Sequence, residues 1–331
     1  MTGTLEAQRD AIVAKEEHPE LIEVVLTAIE LAARDTNLYT FQRPDGVPLP
    51  GAGPGAHVDV LLPNGMERQY SLLTSGPELP AFNVAVKLDP ASRGGSRFMH
   101  RELRVGDRLR VSRPRNNFPL VKDASHSMFF AGGIGITPIL CMIRRLTQLG
   151  RSWQLHFACR SRAEAAFVSE LKLFEQAHFH FDDEANGALL PIADIVASAP
   201  RDAHLYCCGP APMLAAFQAS AAGWPDTRLH MEYFTPRFTA AQQGDYVVEL
   251  ARSRRTFSIP QGKTILQILR EANIDIRSSC EEGVCAACET RVLEGTPDHR
   301  DSVLTEQERE EGRTMMICCS GCKSERLVLD L

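Results

Sequence analysis

Cys280-Glu281-Glu282-Gly283-Val284-Cys285-Ala286-Ala287-Cys288, with Cys318 following 30 residues later, is the stretch on which the fold turns. The spacing Cys-x4-Cys-x2-Cys with a distant fourth cysteine is the plant-type [2Fe–2S] pattern. Such a cluster needs four thiolates around two irons, three from one tight loop and the fourth from a distant strand. Small residues across Ser278–Cys288 let backbone N–H groups turn toward sulfur, where they stabilise an added electron. A four-cysteine zinc site usually shows two Cys-x2-Cys knuckles, and only one is present. Cys319 and Cys322 are spare thiols, and Cys319 is the alternative ligand because it adjoins Cys318. Of ten cysteines, six crowd into the last 52 residues. Clustering of that kind points to metal rather than to a disulfide scaffold.

Around this loop the pattern is short and mixed α+β. Strands are expected at Tyr246–Leu250, Thr256–Ile259, Thr290–Leu293 and Leu327–Leu329, and a helix at Thr264–Ala272. Residues 245–331 therefore read as one small α+β unit built around the cysteine loop. It is acidic, with 12 basic and 16 acidic side chains. Phe238–Gly244 is small and polar and reads as a linker.

Upstream, residues 124–237 alternate strands and helices, the signature of an α/β doubly wound parallel sheet. Its first strand, Met128–Ala131, runs into Gly132-Gly133-Ile134-Gly135-Ile136-Thr137-Pro138. Glycines there admit close backbone approach to a phosphate, and Thr137 is expected to cap the helix that follows. A helix carrying Phe167, Leu171 and Phe174 is expected next. Cys207-Cys208-Gly209-Pro210 ends the fourth strand, at the sheet edge where ligands of such folds bind. After the second strand, Arg160-Ser161-Arg162 suits a 2′-phosphate, with no acidic residue beside it to reject one.

Residues 19–123 show short apolar runs between turns: Ile22–Ile29, His57–Leu62, Gln69–Leu73, Phe82–Val86 and Arg108–Val111. This is the spacing of an antiparallel barrel or sandwich. Arg68 and Tyr70 share a strand face, one suited to a phosphate and the other to a flat ring. Arg93-Gly94-Gly95-Ser96 is a second phosphate-suited turn. Residues 1–18 are polar and read as an extension.

Composition narrows the function classes. A net charge of −6 argues against nucleic acid as a partner. The uncharged stretches Ala124–Ile143 and Ala203–Pro225 are broken by glycine and proline, so they read as buried strand, loop and helix rather than membrane spans. No apolar signal segment opens the chain, so a cytoplasmic protein is expected. His178 and His180 alternate on a strand, and no metal is expected there.

In this order, the motifs resemble the phthalate dioxygenase reductase group of the ferredoxin–NADP reductase superfamily, from about residue 20 to the C-terminus. The resemblance implies a flavin-binding barrel, a nicotinamide domain and, over residues 245–331, a C-terminal ferredoxin of β-grasp type. It implies FMN rather than FAD, bound through Arg68, Tyr70 and Ser71, with Ser71 near flavin N5. Val86 and Lys87 would edge the ring, and Gly94, Gly95 and Ser96 would hold the phosphate. Gly132, Gly133, Gly135, Thr137, Cys208, Gly209 and Pro210 match the nicotinamide-binding motifs, and Glu232 and Phe234 match a strand-end Glu-x-Phe. Arg160 would lie on the adenosine side. NADH is implied over NADPH, and the electron acceptor would be a separate oxygenase of Rieske type, the alternative being another acceptor such as a cytochrome or a monooxygenase. One position departs from the family. Ala286 stands where glycine is usual, and its methyl fits only if the backbone there is not left-handed.

Overall fold

The computed structural model describes residues 21–331 apart from 91 and 93. The expected extension, residues 1–18, and Arg93 lie outside the described residues.

The first unit contains β1 (Ile22–Ala33), β2 (Thr36–Gln42), β3 (Leu49–Ala52), β4 (His57–Leu61), β5 (Glu67–Ser71), β6 (Gly76–Leu79), β7 (Phe82–Lys87), α1 (Gly95–Arg101) and β8 (Arg108–Val111). Six strands form an antiparallel sheet in the order β5-β4-β8-β1-β2-β7. Just past β5, Leu72 bridges Val84 of β7, so the two outer strands meet and the sheet closes. Closure removes unpaired edges and makes this a barrel. Its core includes Val24, Tyr39, Phe41, Val58, Phe82 and Val111. β2 was not among the expected strands, although Tyr39 and Phe41 alternate into that core. The turn before it carries neither glycine nor proline. Asp35 makes it by adopting a left-handed backbone, φ 59°.

The second unit contains β9 (Ser127–Gly132), α2 (Ile136–Gln148), β10 (Trp153–Cys159), α3 (Val168–Leu171), β11 (Ala177–Phe181), α4 (Ile192–Ser198), β12 (His204–Cys208), α5 (Ala211–Ser220) and β13 (Leu229–Glu232). The strands are all parallel, in the order β11-β10-β9-β12-β13. Alternate residues feed two cores. Phe129, Ala131, Tyr206 and Cys208 pack with α2, while Met128, Phe130, Leu205 and Cys207 pack with α4 and α5. Two local expectations fail here. Thr137 does not cap α2, because a 3₁₀ turn, Gly133–Gly135, leads into the helix and puts Gly135 at the cap. Thr137 Oγ1 instead donates to the Ile134 carbonyl at 3.0 Å. The helix expected across Phe167, Leu171 and Phe174 shrinks to α3, since Phe167 takes a left-handed backbone immediately before it.

The third unit contains β14 (Tyr246–Leu250), β15 (Arg255–Ile259), α6 (Ile265–Glu271), β16 (Glu289–Glu294), β17 (Pro297–Asp298), α7 (Glu306–Glu311), β18 (Thr314–Met316), β19 (Gly321–Cys322) and β20 (Arg326–Leu329). Its mixed sheet, β15-β14-β20-β16-β18, packs Val248, Leu327 and Leu329 against Ile265, Leu266 and Leu269 of α6. Thr264 and Gln267 close a capping box on α6, fixing the end of the helix. The cysteine loop runs between α6 and β16.

The segment read as a linker packs on this third unit. The Ala241 N–H donates to the Cys319 carbonyl at 2.8 Å, Ala241 is buried, and the Arg237 N–H donates to Ser302 Oγ at 3.0 Å. Among the described residues no helix is long and apolar enough to cross a membrane.

Candidate functional site

All three units contribute to one open cleft of about 210 Å³. Its barrel wall is β5 itself, from Glu67 to Ser71, facing Ala85, Val86 and Lys87. Consecutive β5 residues, and so side chains from both faces of the strand, line the cleft. The second unit adds Ile134, Thr137, Tyr233 and Phe234, and the third adds Cys280, Glu282 and Val284. An open cleft between units, with apolar walls and a few polar groups, is the kind of place where ligands bind.

The barrel side has the chemistry for a phosphorylated flat ring. Arg68 donates to the Glu67 carbonyl at 2.7 Å and, among the described residues, pairs with no carboxylate. Its charge is thus available to an anion. Gly95 lies against it, and a Cβ on Gly95 would sit 2.6 Å from Arg68 Nε, so a larger residue there would push the arginine aside. Gly94 takes φ 108°, which L side chains rarely adopt. Ser96 lines the same cleft and accepts from the Asp89 N–H at 3.2 Å. Burial pushes the Tyr70 hydroxyl well up, so its ring stays neutral beside Arg68. Lys87 reaches across to the second unit and pairs with Glu164 at 2.8 Å.

On the second unit the two glycine loops meet backbone to backbone. A Cβ on Gly132 would lie 2.5 Å from Pro210 Cδ, and one on Gly135 would lie 2.2 Å from the Cys208 carbonyl oxygen. Gly133 has φ 52°, and a Cβ there would meet nothing. Cys208 is fully buried and, with Glu232, stands behind the cleft rather than in its wall. Phe234 is 40 % exposed and lies in the wall.

The adenosine side corrects one expectation. Arg160 is exposed, as a ligand contact there requires. Arg162 does have an acidic neighbour, Glu184, which follows β11 and was invisible next to Arg162 in sequence. Its carboxylate accepts from Arg162 Nε at 2.9 Å and from Nη2 at 2.8 Å. The guanidinium also lies over the Phe181 ring, 4.4 Å from its centroid.

The four cysteines singled out by spacing come together. The Cys280 thiol meets those of Cys285 and Cys318, and Cys318 also meets Cys288. Backbone donors are aimed at the sulfurs. Glu282 and Val284 N–H groups point to Cys280 Sγ at 3.3 and 3.4 Å, and Ala287 N–H to Cys285 Sγ at 3.4 Å. Donors of this kind stabilise thiolates and an added electron, so the residues fit an iron–sulfur cluster. Among the described residues no three such side chains converge as the ligands of one ion would. Two irons bridged by sulfides need only two thiolates each. Of the spare thiols, Cys319 Sγ donates to the Met316 carbonyl at 3.7 Å and also meets the Cys318 thiol, while Cys322 Sγ donates to the Ser324 carbonyl at 2.8 Å. Ala286 has φ 58°, so the methyl does sit on a left-handed backbone, contrary to the condition for an easy fit.

Sequence reading did not find Asp59, Arg115, Asn117 or Ser279, which join the barrel to the cysteine loop. A charged position such as Asp59, set between Val58 and Val60, was the available signal.

Comparison with known proteins agrees with this geometry. A family model described as a 2Fe-2S iron-sulfur cluster binding domain matches residues 248–323. The chain is 47 % identical to phenoxybenzoate dioxygenase subunit beta from Ectopseudomonas oleovorans, covering 94 % of this chain and 97 % of that one. It is 43 % identical to a vanillate O-demethylase oxidoreductase from Pseudomonas sp. strain HR199, covering 94 % and 100 %. Among solved structures, phthalate dioxygenase reductase aligns with a TM-score of 0.70 at 37 % identity, covering 94 % of this chain and 98 % of that one. An intact type IV self-sufficient cytochrome P450 monooxygenase aligns with a TM-score of 0.84 at 40 % identity. This chain matches only 41 % of that chain's length.

Proposed function

The chain belongs to the phthalate dioxygenase reductase-like family of flavin and [2Fe–2S] oxidoreductases, and we propose that it carries electrons from NADH to a separate Rieske-type oxygenase in the cytoplasm. The observation that carries this reading is the shared cleft, where Tyr70 and Ser71, Ile134 and Thr137, and Cys280 and Val284 line one space. Bound flavin would supply the conversion of a two-electron hydride input into single-electron outputs. The chain's own residues bind and orient. Arg68 holds the phosphate of FMN together with Gly94, Gly95 and Ser96, while Tyr70, Val86 and Lys87 bound the ring. Ser71 would lie near the reacting edge of the ring. Gly132, Gly133, Gly135, Thr137, Gly209 and Pro210 receive the dinucleotide, with Cys208, Glu232 and Phe234 shaping the nicotinamide side and Arg160 the adenosine side. Cys280, Cys285, Cys288 and Cys318 ligate the irons. We draw the units at residues 19–123, 124–237 and 245–331.

The Glu184–Arg162 pair supports NADH, because a carboxylate already occupies the cation that a 2′-phosphate would need. The similarity to a P450 monooxygenase chain favours a second reading, in which the acceptor is a haem protein. Stepwise anaerobic addition of NADH, and separately of NADPH, with an ultraviolet–visible record and flavin extraction, tests the reading. NADH should bleach flavin and then cluster absorbance, and extraction should release FMN. Mixing the reduced protein with a Rieske oxygenase and with a P450 then separates the two acceptors.

A further inference from the structure

The barrel grips the cysteine loop at two points. Ser279 Oγ, one residue before Cys280, donates to Asp59 Oδ1 at 2.9 Å. Asn117 Nδ2 donates to the Cys285 carbonyl at 3.1 Å. Between these anchors lie Cys280, Glu282 and Val284, which face the cleft.

The barrel side of the grip is rigid. Asp59 is 2 % exposed and accepts from Arg115 Nη1 at 2.6 Å and Nη2 at 3.0 Å, a two-pronged charged pair. His57 and Arg115 exchange backbone hydrogen bonds at 2.8 and 3.0 Å, which fixes the root of the arginine. Beside Asn117, Asn116 donates to the Pro54 carbonyl at 2.9 Å and accepts from the Phe118 N–H at 3.0 Å. These groups are held by the barrel fold, so the loop conforms to them.

The geometry points to Asp59, Arg115 and Asn117 as positioning residues that clamp the Cys280–Cys285 segment against the cleft and so set the flavin-to-cluster electron transfer. This rests on the proposed function. In the step concerned, one electron leaves the reduced flavin and one Fe³⁺ of the cluster becomes Fe²⁺, with no other reactant. Such a transfer depends steeply on separation, and an unclamped loop spends part of its time too far away.

The test compares the holoprotein with Ser279→Ala, Asn117→Ala, Asn117→Asp and the double variant Ser279→Ala/Asn117→Asp. Asn117→Asp keeps shape but replaces the donor with an acceptor that faces a carbonyl. Anaerobic stopped flow with NADH follows flavin bleaching and cluster reduction separately, and hydrogen exchange of residues 279–287 is measured in the oxidised protein. Flavin bleaching and the resting cluster spectrum should be unchanged, while loop amides exchange faster. Cluster reduction should slow about fivefold for each lost hydrogen bond and more in the double variant. Cluster reduction at the parent rate in the double variant, or an Asn117→Asp protein that behaves as the parent, overturns the clamp. So does loss of cluster from both single alanine variants, since the residues would then serve only the loop's fold. Failure of NADH to bleach the parent's flavin would instead sink the proposed function.

Discussion

The Cys208 thiol points across adjoining strand ends at Glu232, 3.7 Å from Oε2. Burial pushes the Glu232 carboxyl up to about 8, and burial, then the Glu232 charge, pushes the Cys208 thiol well up. The pair is therefore a neutral donor and a neutral acid at pH 7. A carboxyl raised in this way keeps its proton in the fold between its ordinary value of 4.5 and about 8, where the unfolded chain has lost it. Stability contributed by that proton falls as pH rises through this window and is flat above it. Glu232→Gln should remove the slope and gain on the order of 2 kcal/mol over the parent at pH 9. Urea midpoints at pH 6 and pH 9 check this; identical slopes in the two proteins would count against it.

Histidine burial predicts the opposite slope on the acid side. His156 is stacked between Phe130, at 5.5 Å, and His178, at 5.1 Å, and burial, then the facing His178, lowers it to about 4. His230, against Tyr206 and His204, is lowered to about 4 by burial and then by His204. Both stay neutral in the fold while unfolded histidine protonates near 6.5. Their stabilisation is complete above pH 6.5 and is lost as pH falls toward 4. His156→Phe keeps the stacking and should reduce the fall in Tm between pH 7 and 5. An unchanged fall would show that His156 titrates normally.

Ala286 holds a left-handed backbone inside the cysteine loop. Glycine adopts that conformation without the Cβ clash, worth about 1 kcal/mol. Ala286→Gly should therefore lengthen the half-life of the cluster's visible absorbance in moderate urea. Ala286→Val, whose branched side chain is less tolerant there, should shorten it. A half-life that is longest in the parent would refute the strain.

Cys318→Ser should abolish the cluster spectrum while NADH still bleaches the flavin. Cys319→Ser should retain the cluster, because the spacing assigns the fourth ligand to Cys318. The reverse pattern in iron content and visible absorbance would exchange the two assignments.

Glu184→Gln frees Arg162 from its carboxylate. The kcat/KM ratio for NADPH over NADH should rise about tenfold, as a charge-assisted contact to phosphate becomes available. A ratio that does not move would place Arg162 outside the adenosine site.

Periodicity carried most of the fold. His204–Cys208, Arg108–Val111 and Tyr246–Leu250 begin and end where the apolar pattern places them. Legibility failed where the chain turned without a marker residue, as at Asp35 and Phe167, which take left-handed backbones in place of glycine. At the site, the cysteine spacing is a local pattern and was readable. The Glu184–Arg162 pair and the Asp59–Ser279 contact join residues far apart in sequence, and no single stretch encodes them. Ala286 was recognised as unusual, yet its φ depends on how the loop wraps the thiols.

The seating of Ala241 on Cys319, with Arg237 on Ser302, bears on how modules of this kind are exchanged between proteins. The connecting segment is already part of the iron–sulfur unit's surface, so the natural seam for recombination lies upstream of Arg237 rather than within residues 238–244. A cassette cut at Asp245 would leave behind the strip that covers the backbone beside the fourth thiolate. One that starts near Tyr233 would carry its own lid into a new host.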